Sequence, residues 1–415
     1  MVHISRINGG KAVGLAVCEV TAIPYYELLH KELDRACHLN QVLFVQLITG
    51  FYRRSPANQA SLEILWQSIP VKNQTYAAQV RQYVLLRQMG TSALELQSAL
   101  EETQQNLVNE LEGKNFSLRV LGEEDLASFS NQLESVDSSA VLAISRKERY
   151  AQHVLMPNSC LYYNDLVRPS EDLNIADLTN MLTQRPNSAV SLQLIPTVYT
   201  AEEIMGIEES RRYMSMYISN MRFCQGIQAD ANIQAIADAY DSLLASEKEP
   251  LFYYNFLIYA QPNSALSIAN KVIDAIGEEG SAAGSAFETV DLTGCGLAPH
   301  KKLEQQPWAI SNLLVFQQRD RVFWDLPIAP LYFLRLKYLM TARELSGIFK
   351  LPIDDGHTIG LESKKLSSNR EKLNQSIISE GNFKLGRILN ASRTQEGDAA
   401  HAGVPLSDFT KHGLI

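Results

Sequence analysis

Residues 82–120, QYVLLRQMGTSALELQSALEETQQNLVNELEGKNFSLRV, carry the pattern that decides the fold. The apolar run QYVLLRQ at its start predicts a β-strand. Ser92 and Glu95 have the spacing of a capping box, so a helix is expected to begin there. One face of that helix is predicted by the leucines at positions 96, 100, 107 and 111. Gly113 ends the helix, and alternating apolar residues over 116–120 predict a second strand.

The same plan returns at residues 251–292. The run LFYYNFLIYA predicts a strand, and AFETVDL at 286–292 predicts another. Between them a helix is expected to begin near Ser264 and to stop at Gly277, with an inward face made by Leu266, Ala269, Ile273 and Ile276. Placing residues 92–94 over 264–266 without gaps also places 84–86 over 256–258. The shared order of elements therefore predicts an internal repeat.

Further elements fill the chain around these units. Residues 22–39 are predicted to form a helix that leads into a strand at 42–52, whereas 61–69 fits either a strand or a helix. VSLQLIP at 190–196 predicts a strand. Thr200 and Glu203 form a second capping box. The helix that follows has one side made by Ile204, Ile207, Met214 and Met221, and another helix is predicted over 233–246.

The predicted fold class is α/β, in the sense of mixed α+β modules packed side by side. We expect a first module over 1–150 and a second over 151–340. Residues 341–383 are predicted to be a helix and a polar, exposed connector, because 353–383 is rich in charged residues. Two short apolar runs, FKLGRIL and AGVPLSD, flank a polar loop, so 384–415 is predicted to be a β-hairpin.

Composition excludes some classes of protein. The chain has 415 residues, 46% of them hydrophobic, and shows no apolar run long enough to cross a bilayer and no apolar signal core. Five scattered cysteines fit neither a disulfide framework nor a zinc site, so a reducing cytoplasmic setting is expected. The net charge of −9 disfavours a surface built mainly for nucleic acid, although a local basic channel stays compatible with it.

No catalytic motif can be found in the sequence. It lacks a phosphate-binding loop of the form G-x-x-x-x-G-K-[ST], a G-x-G-x-x-G turn, H-E-x-x-H, C-x-x-C and G-x-S-x-G. We therefore predict no catalytic, cofactor-binding or metal-binding residues within 1–415.

The last residues nevertheless match a known pattern. A Leu-Gly-basic strand at 385–387 is followed by Gly-Val-Pro-Leu at 403–406 and by KHGLI at 411–415. This run resembles the segment that directly precedes the nucleotide-binding loop in the HerA–FtsK superfamily of ring-forming ATPases. LMTARELSGIFKLP at 339–352 is similar to the helix before the ATPase core in conjugation and type IV secretion ATPases of the TraC kind.

The resemblance implies a role for the chain. It implies a RecA-like ATPase core that begins after Ile415, with ATP and Mg²⁺ bound by the full-length protein and no cofactor in this chain. It further implies a homo-oligomeric ring, a hexamer, that moves protein or DNA in conjugation, secretion or phage defence with a protein partner. The alternatives are a complete non-enzymatic scaffold without a motor and, last, an enzyme that uses scattered acids.

For five features a specific functional hypothesis can be compared with a plain structural explanation, such as packing or solvation. Lys411 and His412 flank a strand, so a structural role is favoured over catalysis. Adjacent Cys37 and His38 point in different directions on a helix, which disfavours a metal pair. The charged run 144–150 is typical of a solvated face rather than of a nucleic-acid grip. Residues 317–339 mix aromatic and arginine residues as protein interfaces do, or close the second module. Ordinary core is favoured over a partner groove for Met205, Met214, Met216 and Met221.

Overall fold

The structure is a computed structural model of the whole chain. It describes residues 2–6, 12–25, 30–57, 59–72, 77–153, 156–164, 167, 175–225, 231–276, 286–295, 297, 335–354, 361–365, 383–387 and 401–404. The chain divides into two compact units, Met1–Lys364 and Lys365–Ile415. The predicted mixed α/β class is confirmed, with a sheet whose neighbouring strands are antiparallel.

The described residues of the N-terminal part of the first unit form five strands and three helices. They are β1 (His3–Arg6), β2 (Ala12–Tyr25), α1 (His30–Arg54), β3 (Ala60–Pro70), β4 (Ala78–Gly90), α2 (Ala93–Glu112), β5 (Ser117–Val120) and α3 (Glu123–Glu134). The predicted start of α2 is confirmed, because the Ser92 side chain accepts a hydrogen bond from the backbone N–H of Glu95. Gly113 is the C-cap of that helix, also as predicted.

The rest of the first unit repeats this plan with insertions. Its elements are β6 (Ala140–Arg146), β7 (Glu148–His153), β8 (Met156–Asn164), α4 (Ala176–Leu182), β9 (Ala189–Thr197), α5 (Ala201–Gln225), α6 (Ala231–Ala245), β10 (Leu251–Ala260), α7 (Pro262–Ile276), β11 (Phe287–Asp291), β12 (Leu339–Thr341), α8 (Ala342–Leu345) and β13 (Ser363–Lys365). Short 3-10 turns lie at Ser246–Lys248 and Leu336–Tyr338.

One sheet, of eleven strands among the described residues, runs through the unit in the order β1-β2-β4-β3-β9-β10-β6-β11. β5 also pairs with β2, β13 pairs with β2 and β12 pairs with β10. The strands β5-β2-β4-β3 and β11-β6-β10-β9 therefore have the same arrangement. Each set follows a β-α-β-β-α-β chain path in which the first and third strands are central and the second and fourth lie outside them, which is the split β-α-β, or ferredoxin-like, topology.

The two halves meet through β3 and β9, and their pairing is internally symmetric. The predicted offset of 172 residues places β4 on β10, and the strand registers then place Leu62 on Val190 and Trp66 on Leu194. The observed pairs Leu62–Leu194 and Trp66–Val190 are exchanged by a two-fold axis through the pair Ile64–Leu192. The internal repeat predicted from the sequence is thus a pseudo-two-fold arrangement of two halves in one sheet.

The halves divide between α3 and β6 rather than at residue 150. β6 belongs to the second half because it pairs with both β10 and β11. The predicted modules 1–150 and 151–340 share one sheet, so we describe them below as the first half and the second half of a single unit.

The two faces of the sheet have different cores. Even-numbered residues of the central strands, such as Ile64, Val84 and Leu192, lie in the large core under α1, α2, α4 and α7. Odd-numbered residues face the other side, where a second core includes Phe129 and Leu133 of α3. On that same side, Leu251 of β10 packs with residues of α5 and α6 in a third core.

Three local predictions are wrong. The strand predicted at 42–52 is part of α1, because its buried residues have helical spacing: Leu43, Phe44, Leu47, Ile48 and Phe51. Residues 22–25, predicted as helix, end β2. Leu266, predicted to face inward, is 52% exposed, because α7 begins at Pro262 and directs its neighbour Ala265 into the core.

The predicted exposed connector is also corrected at its start. Ile353 and Asp354 are buried, and the backbone N–H of Asp354 donates to the carbonyl of Pro24 in β2 at 2.9 Å. Most of the remaining connector lies outside the described residues.

A buried ion pair lies beside the pseudo-two-fold axis. Arg87 Nη1 contacts Glu63 Oε2 at 2.5 Å, and both side chains are almost fully buried. The Ser191 hydroxyl donates to the other oxygen of Glu63. The repeat relates Ser191 to Glu63 and Tyr259 to Arg87, so the second half has no ion pair at the equivalent positions. Burial, together with the negative charge of Glu63, raises the pKa of Tyr259. The symmetry of the backbone is therefore broken by its side chains.

Close packing of α2 on β2 gives a first testable prediction. A Cβ atom added at Gly14 would lie 3.1 Å from Leu100 Cδ2 and 3.3 Å from Leu96 Cγ, so Gly14→Ala should overpack the core and lower the free energy of unfolding by about 1–3 kcal/mol. Gly90→Ala is the matched control, because its nearest neighbour would be 3.7 Å away. Urea unfolding compares the two variants, and equal stabilities would contradict the prediction.

The C-terminal unit contains the predicted β-hairpin. β14 (Phe383–Arg387) pairs antiparallel with β15 (His401–Val404), and the register shifts between Lys384 and Gly386. This shift makes Leu385 of the Leu-Gly-Arg motif the extra residue of a bulge. Pro405, Leu406 and the last five residues of the terminal motif lie outside the described residues.

Candidate partner-docking site

The second half carries a large insertion that the first half lacks. In the first half β3 and β4 are joined by residues 71–77, whereas β9 and β10 are joined by residues 198–250, which form α5 and α6. We call these two helices the helical hairpin. Because the repeat can close without it, the helical hairpin is not needed to complete the sheet and is available for another role.

One side of the helical hairpin is packed into the body, and α6 also contacts β8. Its core joins one side of each helix to β10 and to residues 336–339, and consists of Ile207, Met214, Ile236, Ala237, Tyr240, Leu251, Leu336 and Leu339. α5 has 25 residues, so it is about 37 Å long. Most of its described length beyond Met214 is exposed or only partly buried.

The outer side of α5 has a mixed apolar and charged character. Met205 is 68% exposed and Met216 is 59% exposed. They are eleven residues apart, which is close to three helical turns, so they lie on one stripe, with the exposed Arg212 between them. Methionine and arginine are both enriched at protein interfaces. On another side of α5, Arg211 pairs with Asp241 of α6 at 2.6 Å and joins the two helices.

The first turn of α5 is held by an arginine from a distant part of the sequence. Glu203 accepts a hydrogen bond from the backbone N–H of Thr200 at 2.7 Å, and the Thr200 hydroxyl accepts from the N–H of Glu203, so the predicted capping box is confirmed. The same carboxylate of Glu203 accepts two hydrogen bonds from Arg335. We call this the Arg335 clamp.

Arg335 has further partners around the base of the helical hairpin. It donates to the carbonyl of Val198 and to the hydroxyl of Tyr253, and its guanidinium lies 5.2 Å from the centre of the Tyr253 ring. Burial lowers the pKa of Arg335, but its hydrogen bonds to Glu203 and its contacts with Tyr253 raise it by more, so the net pKa is raised. The cation is therefore permanent and fully engaged.

A second clamp of the same design lies next to the first. Glu344 caps α8 by accepting from the backbone N–H of Thr341 at 2.8 Å, and it also pairs with Arg146 of β6. Arg146 in addition donates to the carbonyl of Leu339 at 3.1 Å. We call this the Arg146 clamp. In both clamps the glutamate at the third position of a helix holds an arginine from another segment.

Tyr199 connects the two clamps with the C-terminal end of α6, at the base of the helical hairpin. Its hydroxyl lies 3.2 Å from the hydroxyl of Ser246, just after α6. Burial raises the pKa of Tyr199, and the nearby carboxylates of Glu344 and Glu203 raise it further. The phenol of Tyr199 is thus neutral at physiological pH. Its contact with Ser246 holds the residues that follow α6 against the base of the helical hairpin.

Residues 335–354, which we call the strap, extend from this base to the first half. Asn40 of α1 donates to the carbonyl of Leu351 at 2.9 Å, and Phe44 packs edge-to-face against Phe349, with ring centroids 6.3 Å apart. The strap ends at Asp354, which bridges to Tyr25 of β2. It therefore contacts the helical hairpin, the second half and the first half in turn.

The structure shows the environments of several residues for which the sequence suggested a function. Cys37 is buried and His38 is exposed, so the two side chains have different environments. Ile144, Ser145 and Arg146 are buried, so the solvated face predicted for 144–150 is wrong for these three residues. The side chains of 148–150 lie outside the described residues. Met214 is core, whereas Met205 and Met216 are exposed.

Other candidates lie partly or wholly outside the described residues. Of the predicted interface 317–339, only residues 335–339 are described, and they belong to the strap. Lys411 and His412 are not among the described residues, nor is the side chain of Met221. Within the described part of the chain, no three His, Cys, Asp or Glu side chains form a group that could hold a metal ion. Among the helices that the structure describes, we find none with the length and hydropathy of a membrane span.

Comparison of the sequence with known proteins adds no identification. Neither the protein-family models nor the curated proteins match the chain. The two clamps were missed by sequence analysis: the capping boxes supply a sequence signal for Glu203 and Glu344, but nothing in the sequence pairs them with Arg335 and Arg146.

Proposed function

We propose that this chain is the N-terminal assembly and partner-docking region of a ring-forming ATPase of the HerA–FtsK kind, and that the helical hairpin is its docking element. The observation that carries the docking role is the fixed base of the helical hairpin: the Arg335 clamp holds the first turn of α5, and most of the described length of α5 beyond Met214 is exposed or only partly buried. A preorganised element binds with a smaller entropy cost than a flexible one.

The motor part of the proposal rests on the terminal motif. The Leu-Gly-Arg strand and the Ala-Gly-Val strand pair in a β-hairpin, as expected for the entry into the ATPase core of that superfamily. Under this proposal the phosphate-binding loop follows Ile415, the full-length protein binds ATP and Mg²⁺, and six copies form a ring around protein or DNA. The cellular setting that fits this activity is the cytoplasm.

The docking role is tested by removing the insertion. The helical hairpin and its flanking residues, 198–250, are replaced in the full-length protein by the seven-residue connection 71–77 of the first half. Because the deletion also removes Glu203, the variant carries Arg335→Met as well, so that no buried cation is left unpaired. It should then still fold, because the first half closes the equivalent strand pair with that connection. We expect it to keep ATP turnover and oligomer mass but to lose at least about tenfold in affinity for the partner, which corresponds to 1.4 kcal/mol.

Three measurements decide between this proposal and a scaffold without a motor. Sedimentation gives the oligomer mass, a coupled assay gives ATP turnover, and titration with a candidate protein partner gives affinity. Residues 1–415 alone should show no ATP turnover. A full-length protein without turnover would favour the scaffold, and unchanged partner affinity without the helical hairpin would overturn the docking role.

A further inference from the structure

The two clamps are joined by the strap. The strap supplies the arginine of one clamp, Arg335, and the glutamate of the other, Glu344, nine residues later. Between them β12 pairs with β10, with Leu339 opposite Tyr253 and Thr341 opposite Leu251. The helical hairpin, the strap and β6 are therefore connected in series by buried ion pairs.

Each clamp also controls the end of a helix. Glu203 caps α5 and Glu344 caps α8, so an arginine that leaves its glutamate frees a charge and disturbs a capping box at the same time. The Glu203 side chain is only 3% exposed and that of Arg146 only 4%. Removing one partner of such a pair leaves an uncompensated buried charge, which is strongly unfavourable.

From this geometry we infer that the strap couples the two clamps energetically. The contact of Arg335 with Glu203 of α5 stabilises the contact of Arg146 with Glu344 of α8, and the reverse also holds. This inference rests on the proposed docking function, since it describes how an event at the docking element reaches the rest of the chain. Movement of α5 that opens the Arg335 clamp loosens the strap, and with it the contacts of Phe349 and Leu351 with α1 of the first half.

The coupling has to be reciprocal if it is thermodynamic. A change confined to Glu203 should therefore loosen α8, and a change confined to Glu344 should loosen the first turn of α5. Tyr199 lies between the clamps and senses the charges of both glutamates, which places the two sites in one electrostatic environment. The strand pairing of β12 supplies the mechanical connection.

Hydrogen–deuterium exchange on the chain 1–415 without partner or nucleotide tests the inference. In Glu203→Gln we expect exchange of the amides of residues 342–349 to rise at least about tenfold, although the described hydrogen bonds and ion pairs of Glu203 go to Thr200 and Arg335 instead. In Glu344→Gln we expect a similar rise over residues 201–207. The matched control is Asp241→Asn, which removes an exposed ion pair on the same helical hairpin and should leave residues 342–349 unchanged.

A milder variant guards against general unfolding. Arg335→Lys keeps the charge but loses the bidentate contact with Glu203, so it should reproduce the effect of Glu203→Gln at smaller amplitude. Exchange at β3 and β4 should stay at its original level in all variants. Faster exchange confined to the mutated clamp would overturn the inference.

This test is separable from that of the docking function. The exchange experiment involves no partner, so a helical hairpin that docks nothing would leave the predicted coupling intact. Conversely, the exchange experiment could show no coupling while removal of the helical hairpin still lowers partner affinity. That result would reject the strap inference alone.

Discussion

Arg87→Met is expected to lower the free energy of unfolding by about 3–5 kcal/mol, because it leaves the Glu63 carboxylate buried without its cation. The side chains of both residues are at most 2% exposed, so water cannot take over the role of the guanidinium. Chemical unfolding followed by far-ultraviolet circular dichroism measures the effect. The surface variant Arg54→Ala is the control, since the Arg54–Glu110 pair is about one-third exposed and should contribute only about 0.2–1 kcal/mol.

A double variant separates the two parts of this effect. Arg87→Met combined with Glu63→Gln removes both charges, so it should recover much of the stability lost in Arg87→Met. If the single variant costs no more than Arg54→Ala, the buried pair does not contribute as the structure indicates.

Trp66→Ala is expected to have a similarly large effect, a loss of about 3–5 kcal/mol, and to act on both halves. Trp66 is fully buried in the core under the helices and pairs across the joint with Val190 of β9. Because this core contains residues of both halves, weakening it should destabilise β10 as well as β4. Hydrogen–deuterium exchange of the two strands, measured with the overall unfolding transition, reports both effects.

Trp66→Phe is the matched control for volume. It keeps an aromatic ring and removes an indole N–H that has no hydrogen-bond partner in the described structure, so its cost should be much smaller. Two separate unfolding transitions in Trp66→Ala, with β10 retaining its protection, would show that the halves are independent domains.

The sequence predicts those parts of the fold that depend on local pattern. The strand–helix–strand plan around α2, the copy of it around α7, the N-cap at Ser92 and the capping box of Thr200 and Glu203 all follow from residue spacing and are confirmed. The strand prediction for residues 42–52 is wrong. Their β-branched and aromatic side chains favour a strand locally, but burial along one helical face makes them part of α1. The side-by-side contact of β3 and β9 depends on tertiary pairing that no local pattern encodes.

The candidate site was predictable only in part. Thr200 and Glu203 indicate the start of α5, and the long stretch between two strands indicates an insertion. The partner of Glu203 is 132 residues away, and that of Glu344 is 198 residues away, so these contacts are set by how the sheet is assembled. Arg146 shows the difficulty well: its neighbours in the sequence are charged, yet it is buried because β6 lies inside the sheet.

The pseudo-two-fold joint between β3 and β9 has an evolutionary consequence. Two identical chains that met along such a joint would separate on dilution, and every insertion in one would appear in both. With both halves encoded in a single polypeptide, the joint is independent of concentration and each half can diverge alone. A helical hairpin on one side, and a seven-residue connection in the matching place on the other, is the kind of specialisation that gene fusion permits and a homodimer forbids.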